Sequence, residues 1–158
     1  MAIAMYGTRV EADTYYDDIG LSGTWDLYTN TQKDKALQRA TIQIDHLPFL
    51  GEKYNYTTQT RAFPRIVYSF RGEIVYDTDT SGNVIVPEAV RYAVYTQAKF
   101  LLDNASNSAV QALQAGIVSQ SIGSTSETYD KDLLPLDLKT GICREAMELL
   151  KPYLLGGA

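Results

Sequence analysis

Few side chains in this sequence are of types that do chemistry, and their spacing argues against a reaction. The single histidine, His46, follows Asp45. A catalytic dyad needs a nucleophile brought to it in space, and no spacing marks one out, so His46 reads as a surface or capping residue. The single cysteine, Cys143, falls in a helical stretch, which suits a packing role better than a nucleophile's. One His and one Cys are too few ligands for zinc. Asp77, Asp79 and Asn83 loosely resemble a calcium loop, but the spacing is wrong and the closing Glu is missing, so a solvated turn is the better reading. Gly20 and Gly23 make no phosphate loop, since no Gly-Lys-Ser or Gly-Lys-Thr follows, and there is no Gly-x-Ser-x-Gly elbow. The expectation is a protein that is not an enzyme and holds no cofactor or metal.

What remains is surface chemistry. Tyr54 and Tyr56 lie in a stretch punctuated by Pro48, Gly51 and Pro64, with Lys53, Arg61 and Arg65 nearby. Aromatic rings interleaved with cations can stack single-stranded bases. The same residue types anchor protein–protein contacts. Net charge decides between them: 14 Lys and Arg stand against 19 Asp and Glu, giving −5, and the cations are scattered. Nucleic-acid grip draws most of its affinity from phosphate neutralisation, so a subunit-contact loop of Tyr54, Tyr56, Arg61, Pro64 and Arg65 is favoured over base stacking.

The elements that would position these residues are mostly helical. At 158 residues, 45% hydrophobic and 21% charged, the chain fits one domain over residues 1–158. A chain of this size buries roughly 70% of its unfolded surface and needs no disulfide or metal for stability. Twelve Tyr against four Phe and one Trp suggest half-buried positions or surfaces that meet partners. One Cys rules out an internal disulfide and fits a reducing compartment. The apolar start at residues 1–5 is too short for a signal peptide's core, and no apolar run reaches membrane-spanning length.

Along the chain, residues 11–19 read as a short acidic helix stopped by Gly20. A polar loop with Gly23 and Asn30 follows. Thr31 with Asp34 three residues on looks like a cap for a helix whose Leu37, Ala40, Ile44 and Leu47 share one face, ended by Pro48. Residues 48–72 read as a long ordered loop with an extended piece at Ile66-Val67-Tyr68. Residues 73–76 and 84–86 suggest a small hairpin around a turn, or else an irregular loop feeding the next helix. Pro87 at its first position and Glu88 at its positive end start a helix apolar over most of its circumference, ending near Asp103-Asn104. A short helix at residues 108–115 is also suggested. Residues 117–129, rich in Ser and Thr, read as a flexible linker or as an extended arm pairing with a neighbouring subunit's strand. A last helix at about 141–151 carries Ile142, Ala146, Leu149 and Leu150 on one face, with Arg144 and Lys151 flanking. Tyr153-Leu154-Leu155 after Pro152 is either a docking segment or packs back on its own core. The fold class expected is mainly α: a small bundle of four to five helices with a long loop or hairpin and an extended arm.

The order of these pieces resembles that of the head-to-tail adaptors of tailed bacteriophages, a group also called DnaT-like. The resemblance spans residues 12–155. It rests on Trp25, Ala36-Leu37-Gln38-Arg39-Ala40-Thr41, Phe49 and Gly51, Gln59, Phe63-Pro64-Arg65, Gly82, Val86-Pro87, the stretch 117–129, and Leu150-Lys151-Pro152-Tyr153-Leu154. Residues 66–70 and 77–83 are longer than the family pattern. The resemblance implies a structural virion protein of the neck, assembled in the host cytoplasm. It would form a twelve-fold ring of copies of itself on the portal protein, with tail, stopper or tail-terminator proteins docked beneath. Residues 140–158 would dock on the portal through Ile142, Arg144, Leu149, Lys151, Tyr153, Leu154 and Leu155. Double-stranded DNA would pass through without specific binding, repelled by lumen-facing acids such as Asp77 and Asp79, and no membrane is involved. Taken literally, the DnaT-like label implies instead a single-stranded nucleic-acid-binding module using Tyr54, Tyr56 and Arg65.

Overall fold

The computed structural model describes residues 5–68, 74–75, 77–107, 119–122, 125–128, 136–137 and 140–155. Among them are five α-helices and seven short strands, so the chain is mainly α as expected. The short helix expected at 108–115 lies outside the described residues, as do 156–158.

Helix α1 (Arg9–Asp18) starts at a capping box: Thr8 Oγ1 accepts from Glu11 N–H at 3.2 Å, and Glu11 accepts from Thr8 N–H at 3.1 Å. This satisfies two of the helix's orphan donors. Gly20, at φ +75, turns the chain past the helix end, a conformation that costs a β-carbon-bearing residue energy. The stretch expected to be a polar loop contains one helical turn, α2 (Ser22–Trp25). It forms because Trp25 is fully buried and stacks on Tyr16 with ring centroids 4.6 Å apart.

Helix α3 (Asn30–Asp45) is capped two residues earlier than its sequence suggests. Thr29 and Gln32 form the capping box, not Thr31 and Asp34. Its apolar row is as expected: Leu37, Ala40, Ile44 and Leu47 are all buried. Helix α4 (Glu88–Asp103) has Pro87 at the N-cap rather than the first helical position. It is the central element, packing on α3, on α1 and on the last helix, and it buries Val90, Ala93, Val94, Tyr95, Gln97, Ala98 and Leu101. Helix α5 (Arg144–Leu150) is shorter than expected. Ile142 precedes it, and Lys151–Tyr153 forms a 3-10 turn around Pro152.

Strands β1 (Glu52–Lys53), β2 (Arg65–Tyr68) and β3 (Ile74–Val75) form an antiparallel sheet in that order, with Glu52 opposite Ile66 and Val67 opposite Val75. The hairpin exists, but not with the strands expected. Ile74–Val75 pairs back onto β2, and β4 (Asp77–Thr78) takes β5 (Val84–Ile85) as partner. Strands β6 (Ser119–Ile122) and β7 (Thr125–Thr128) pair antiparallel with each other, Ser119 opposite Thr128, in the stretch read as a linker or an arm, whose residues 117–118, 123–124 and 129 lie outside the described residues.

Candidate functional site

The loop singled out in the sequence is held from beneath by two charged side chains. Arg65 of β2 gathers backbone carbonyls: its Nε donates to Leu50 O at 2.7 Å, Nη1 to Ala62 O at 3.3 Å, and Nη2 to Phe49 O at 3.4 Å and to Gly51 O. A planar fork of five donors suits such a spread of acceptors. Asp45, at the end of α3, accepts from Arg61 Nη1 at 3.3 Å, from Ala62 N–H at 2.7 Å and from the Tyr6 hydroxyl. The same hydroxyl accepts from Phe63 N–H at 3.1 Å. Burial, with the Asp45 bond second, raises the Tyr6 pKa well above a phenol's usual value, so Tyr6 stays a neutral donor. The Phe63–Pro64 peptide is cis, and Phe63 packs edge-on against Tyr6 and Phe49. Gln59 Nε2 closes the loop by donating to Arg61 O and Pro64 O, each at 2.8 Å.

On this braced base Tyr54 is 51% and Tyr56 84% exposed. The two tyrosines therefore face outward as a partner contact requires. Arg61 and Arg65, by contrast, turn inward to carboxylate and carbonyl oxygens. The cations expected beside the rings are structural.

The acids expected to face a channel lie on the β4–β5 hairpin, and both are exposed. Asp77 is a strand residue paired with Ile85. Asp79 organises the turn: its Oδ1 accepts from Ser81 and Asn83 N–H at 2.9 Å each, and its Oδ2 from Asn83 Nδ2 at 3.1 Å. These bonds, the Asn83 backbone N–H first, lower its pKa below the usual aspartate value. A carboxylate held this way has its lone pairs committed to the turn, in keeping with the solvated-turn reading.

The terminal segment divides. Ile142 is fully buried and Leu154 nearly so. Leu154 forms a bridge with Phe49, Leu50 N–H donates to Tyr153 O and Leu155 N–H to Pro48 O, both at 2.8 Å. Burying such a Leu stabilises the fold by about 1.5–3 kcal/mol, so these two side chains serve the core of their own chain. Tyr153 and Leu149 are half-buried, while Arg144, Lys151 and Leu155 are exposed.

His46 caps α3, with Nδ1 2.6 Å from Ile42 O. Cys143 is the N-cap of α5 rather than a helix residue; burial pushes its thiol up to about 11.

Several central residues escaped sequence reasoning. Gln97, fully buried on α4, accepts from Cys143 N–H at 2.8 Å and donates to Gln43 Oε1 at 2.9 Å and Gly141 O at 3.4 Å. It joins α3, α4 and the start of α5 through one amide. A Gln on an otherwise apolar helix face was the available signal. Lys33 is likewise buried, bonded to Asp13 at 3.0 Å and Asp26 at 2.8 Å, and 5.1 Å from the Trp25 ring centre. Burial opposes its charge, but the two carboxylates outweigh it and raise its pKa.

Ion pairing is the general fate of the cations. Arg9 pairs with Asp13 and Asp34, Arg91 with Glu11, Lys99 with Asp103 and Lys151 with Glu148. Finally, a cleft of about 660 Å3 opens between α1, α4 and α5, its lining including Tyr16, Ile19, Leu21, Phe100, Lys99, Asp103, Arg144, Glu145 and Glu148. Among the described residues no cluster of His, Cys, Asp and Glu could hold a metal ion, and no helix is long and apolar enough to cross a membrane.

The model of a family described as "Putative DnaT-like ssDNA binding protein" matches residues 4–158. No curated protein and no solved structure matches.

Proposed function

Since the chain belongs to this DnaT-like family, single-stranded DNA and protein subunits are the two partner classes in play, and we propose that it acts as a structural adaptor subunit rather than as an enzyme. In this reading copies of the chain form a ring on the portal protein in the virion neck, after assembly in the host cytoplasm. Tail or stopper proteins dock beneath, and double-stranded DNA slides past acids such as Asp77 and Asp79. The observation that supports it is the state of the cations. Arg9, Lys33, Arg61, Arg91, Lys99 and Lys151 each pair with a carboxylate of their own chain, and Arg65 serves backbone carbonyls. A chain of net charge −5, most of whose described cations are held by its own carboxylates and carbonyls, has little with which to displace counterions from phosphates. The exposed Tyr54 and Tyr56, together with Leu155, are then contact surface.

The second reading is the one the family match favours directly: a single-stranded DNA-binding module in which Tyr54 and Tyr56 stack on bases. Base stacking contributes about 1–3 kcal/mol per base by alanine substitution, so two rings could sustain modest binding without a basic groove. One pair of experiments separates the readings. The purified chain is mixed with the portal protein of the same genome and imaged by electron cryomicroscopy, and its affinity for labelled oligo-dT is measured at several salt concentrations. A ring on the portal with no oligo-dT binding supports the adaptor. Oligo-dT binding that weakens in Tyr54→Ala and Tyr56→Ala, with no portal association, replaces it by the second reading.

A further inference from the structure

Among the described residues, Lys35 and Arg39 are the lysine and arginine that make neither an ion pair nor a hydrogen bond, and both are exposed. They stand four residues apart on α3, about 6 Å along its axis, which is roughly two nucleotides of a stacked strand at about 3.4 Å each. Thr31, Gln38, Ile42 and His46 surround them at helical spacings of three and four. Together these six form the face of α3 that lies away from Leu37, Ala40 and Ile44, which are buried. The two acids of the helix stand at its flank and are held there: Asp34 pairs with Arg9 at 3.2 Å and Asp45 with Arg61 at 3.3 Å. In a chain of net charge −5, this face carries two unpaired cations and no carboxylate.

We propose that this face of α3 is the phosphate track for a single-stranded nucleic acid, with Lys35 and Arg39 each meeting one phosphate. The inference rests on the single-strand reading, the one the family match favours directly, and gives it the counter-charge it needs. Arg61 and Arg65, the cations beside Tyr54 and Tyr56 in sequence, are committed to Asp45 and to backbone carbonyls. A strand whose bases meet the two tyrosines must therefore place its phosphates elsewhere. The last residue of α3, Asp45, holds Arg61 and Ala62 at the root of the tyrosine loop, so the cationic face runs toward the segment that bears the rings. Thr31 and Gln38 are of types that donate to phosphate and sugar oxygens, and His46 brings a ring on which an unpaired base can stack. An acidic protein surface would ask for the charges alone; donors and a ring beside them suit a polynucleotide better. Two phosphate contacts correspond to a slope of log affinity against log salt of about −1.4 for a single strand, or roughly a sevenfold loss between 50 and 200 mM salt. So shallow a dependence is what a chain with most of its described cations held internally can sustain.

The test is fluorescence anisotropy of labelled oligo-dT with the full chain across salt concentration, with far-UV circular dichroism to confirm that each variant is folded. Lys35→Gln/Arg39→Gln removes the two charges and Lys35→Arg/Arg39→Lys exchanges them. Lys99→Gln/Lys151→Gln removes two cations that already pair with acids of their own chain. The first variant should weaken binding at about 50 mM salt by at least tenfold and bring the slope close to zero. The exchange variant and the Lys99→Gln/Lys151→Gln variant should keep the wild-type slope. A folded Lys35→Gln/Arg39→Gln chain that binds with wild-type affinity and slope overturns the inference and leaves the single-strand reading standing. So does an equal loss in Lys99→Gln/Lys151→Gln, which would make net charge the cause. Lys35→Gln/Arg39→Gln chains that keep oligo-dT binding but no longer join the portal assign the face to an acidic protein surface instead. Wild-type chains that bind no oligo-dT at about 50 mM salt, where phosphate contacts are strongest, remove the single-strand reading and this inference with it.

Discussion

Gln97→Ala tests how the last helix is fastened to the body. The Gln97 amide is fully buried and makes three bonds, the shortest of them from Cys143 N–H at 2.8 Å. That N–H belongs to the N-cap of α5. Removing the amide forfeits hydrogen bonds worth about 1 kcal/mol each and leaves a buried donor whose desolvation costs about 1–3 kcal/mol. A loss of about 3 kcal/mol follows, which for a chain of this length lowers the melting midpoint by roughly 6–12 °C. Urea unfolding followed by circular dichroism measures it. A second readout is local: the Cys143 thiol, buried and raised to about 11, should alkylate faster at neutral pH once α5 opens more often. Gln97→Glu is the informative companion, because it keeps an acceptor for Cys143 N–H but replaces the donor to Gly141 O and Gln43 with a buried carboxylate. A change under about 0.5 kcal/mol in Gln97→Ala, with Cys143 no more reactive, would show that α5 is held by packing alone and refute the reasoning.

Two further outcomes follow from local geometry. Gly51→Ala should destabilise the chain and unpair β1 from β2, because a β-carbon there would lie 2.0 Å from Ile66 O at a φ of +76; amide exchange at Tyr54 N–H, which bonds Pro64 O at 3.0 Å, reads it. Asp79 has a folded pKa below its ordinary value, so its contribution is present above the unfolded pKa and is lost as pH falls through the folded one; the stability gap between wild type and Asp79→Ala should be open at neutral pH and close in acid.

Helical periodicity carried the reading of α3 and α4, since Leu37, Ala40 and Ile44, and Val90, Val94 and Leu101, bury the faces their spacing marks. The cap was ambiguous for a physical reason: Thr29 with Gln32 and Thr31 with Asp34 both satisfy the same pattern, and only the fold chooses. Pairing partners were equally hidden. The β-branched run at Ile74-Val75 fits any strand edge, and β2, already extended, took it in place of β5. The terminal Tyr153-Leu154-Leu155 could not be assigned to core or partner from composition, because what draws Leu154 inward is the backbone of Pro48 and Leu50, about a hundred residues away. The same holds for the candidate site. Exposed Tyr54 and Tyr56 were legible as loop aromatics, whereas the inward turn of Arg61 and Arg65 depends on Asp45 and on carbonyls that no spacing predicts.

The fork of Arg65 has a consequence for what the protein can be made to carry. One guanidinium ties the carbonyls of Phe49, Leu50 and Gly51 to Ala62 O, clamping both ends of the segment that bears Tyr54 and Tyr56. With the ends fixed, lengthening the outer turn at residues 55–58 adds only the slow logarithmic entropy of a longer loop. That turn is therefore a natural insertion port: a tag or a foreign epitope placed there would be displayed outward, on a base that the insertion leaves intact.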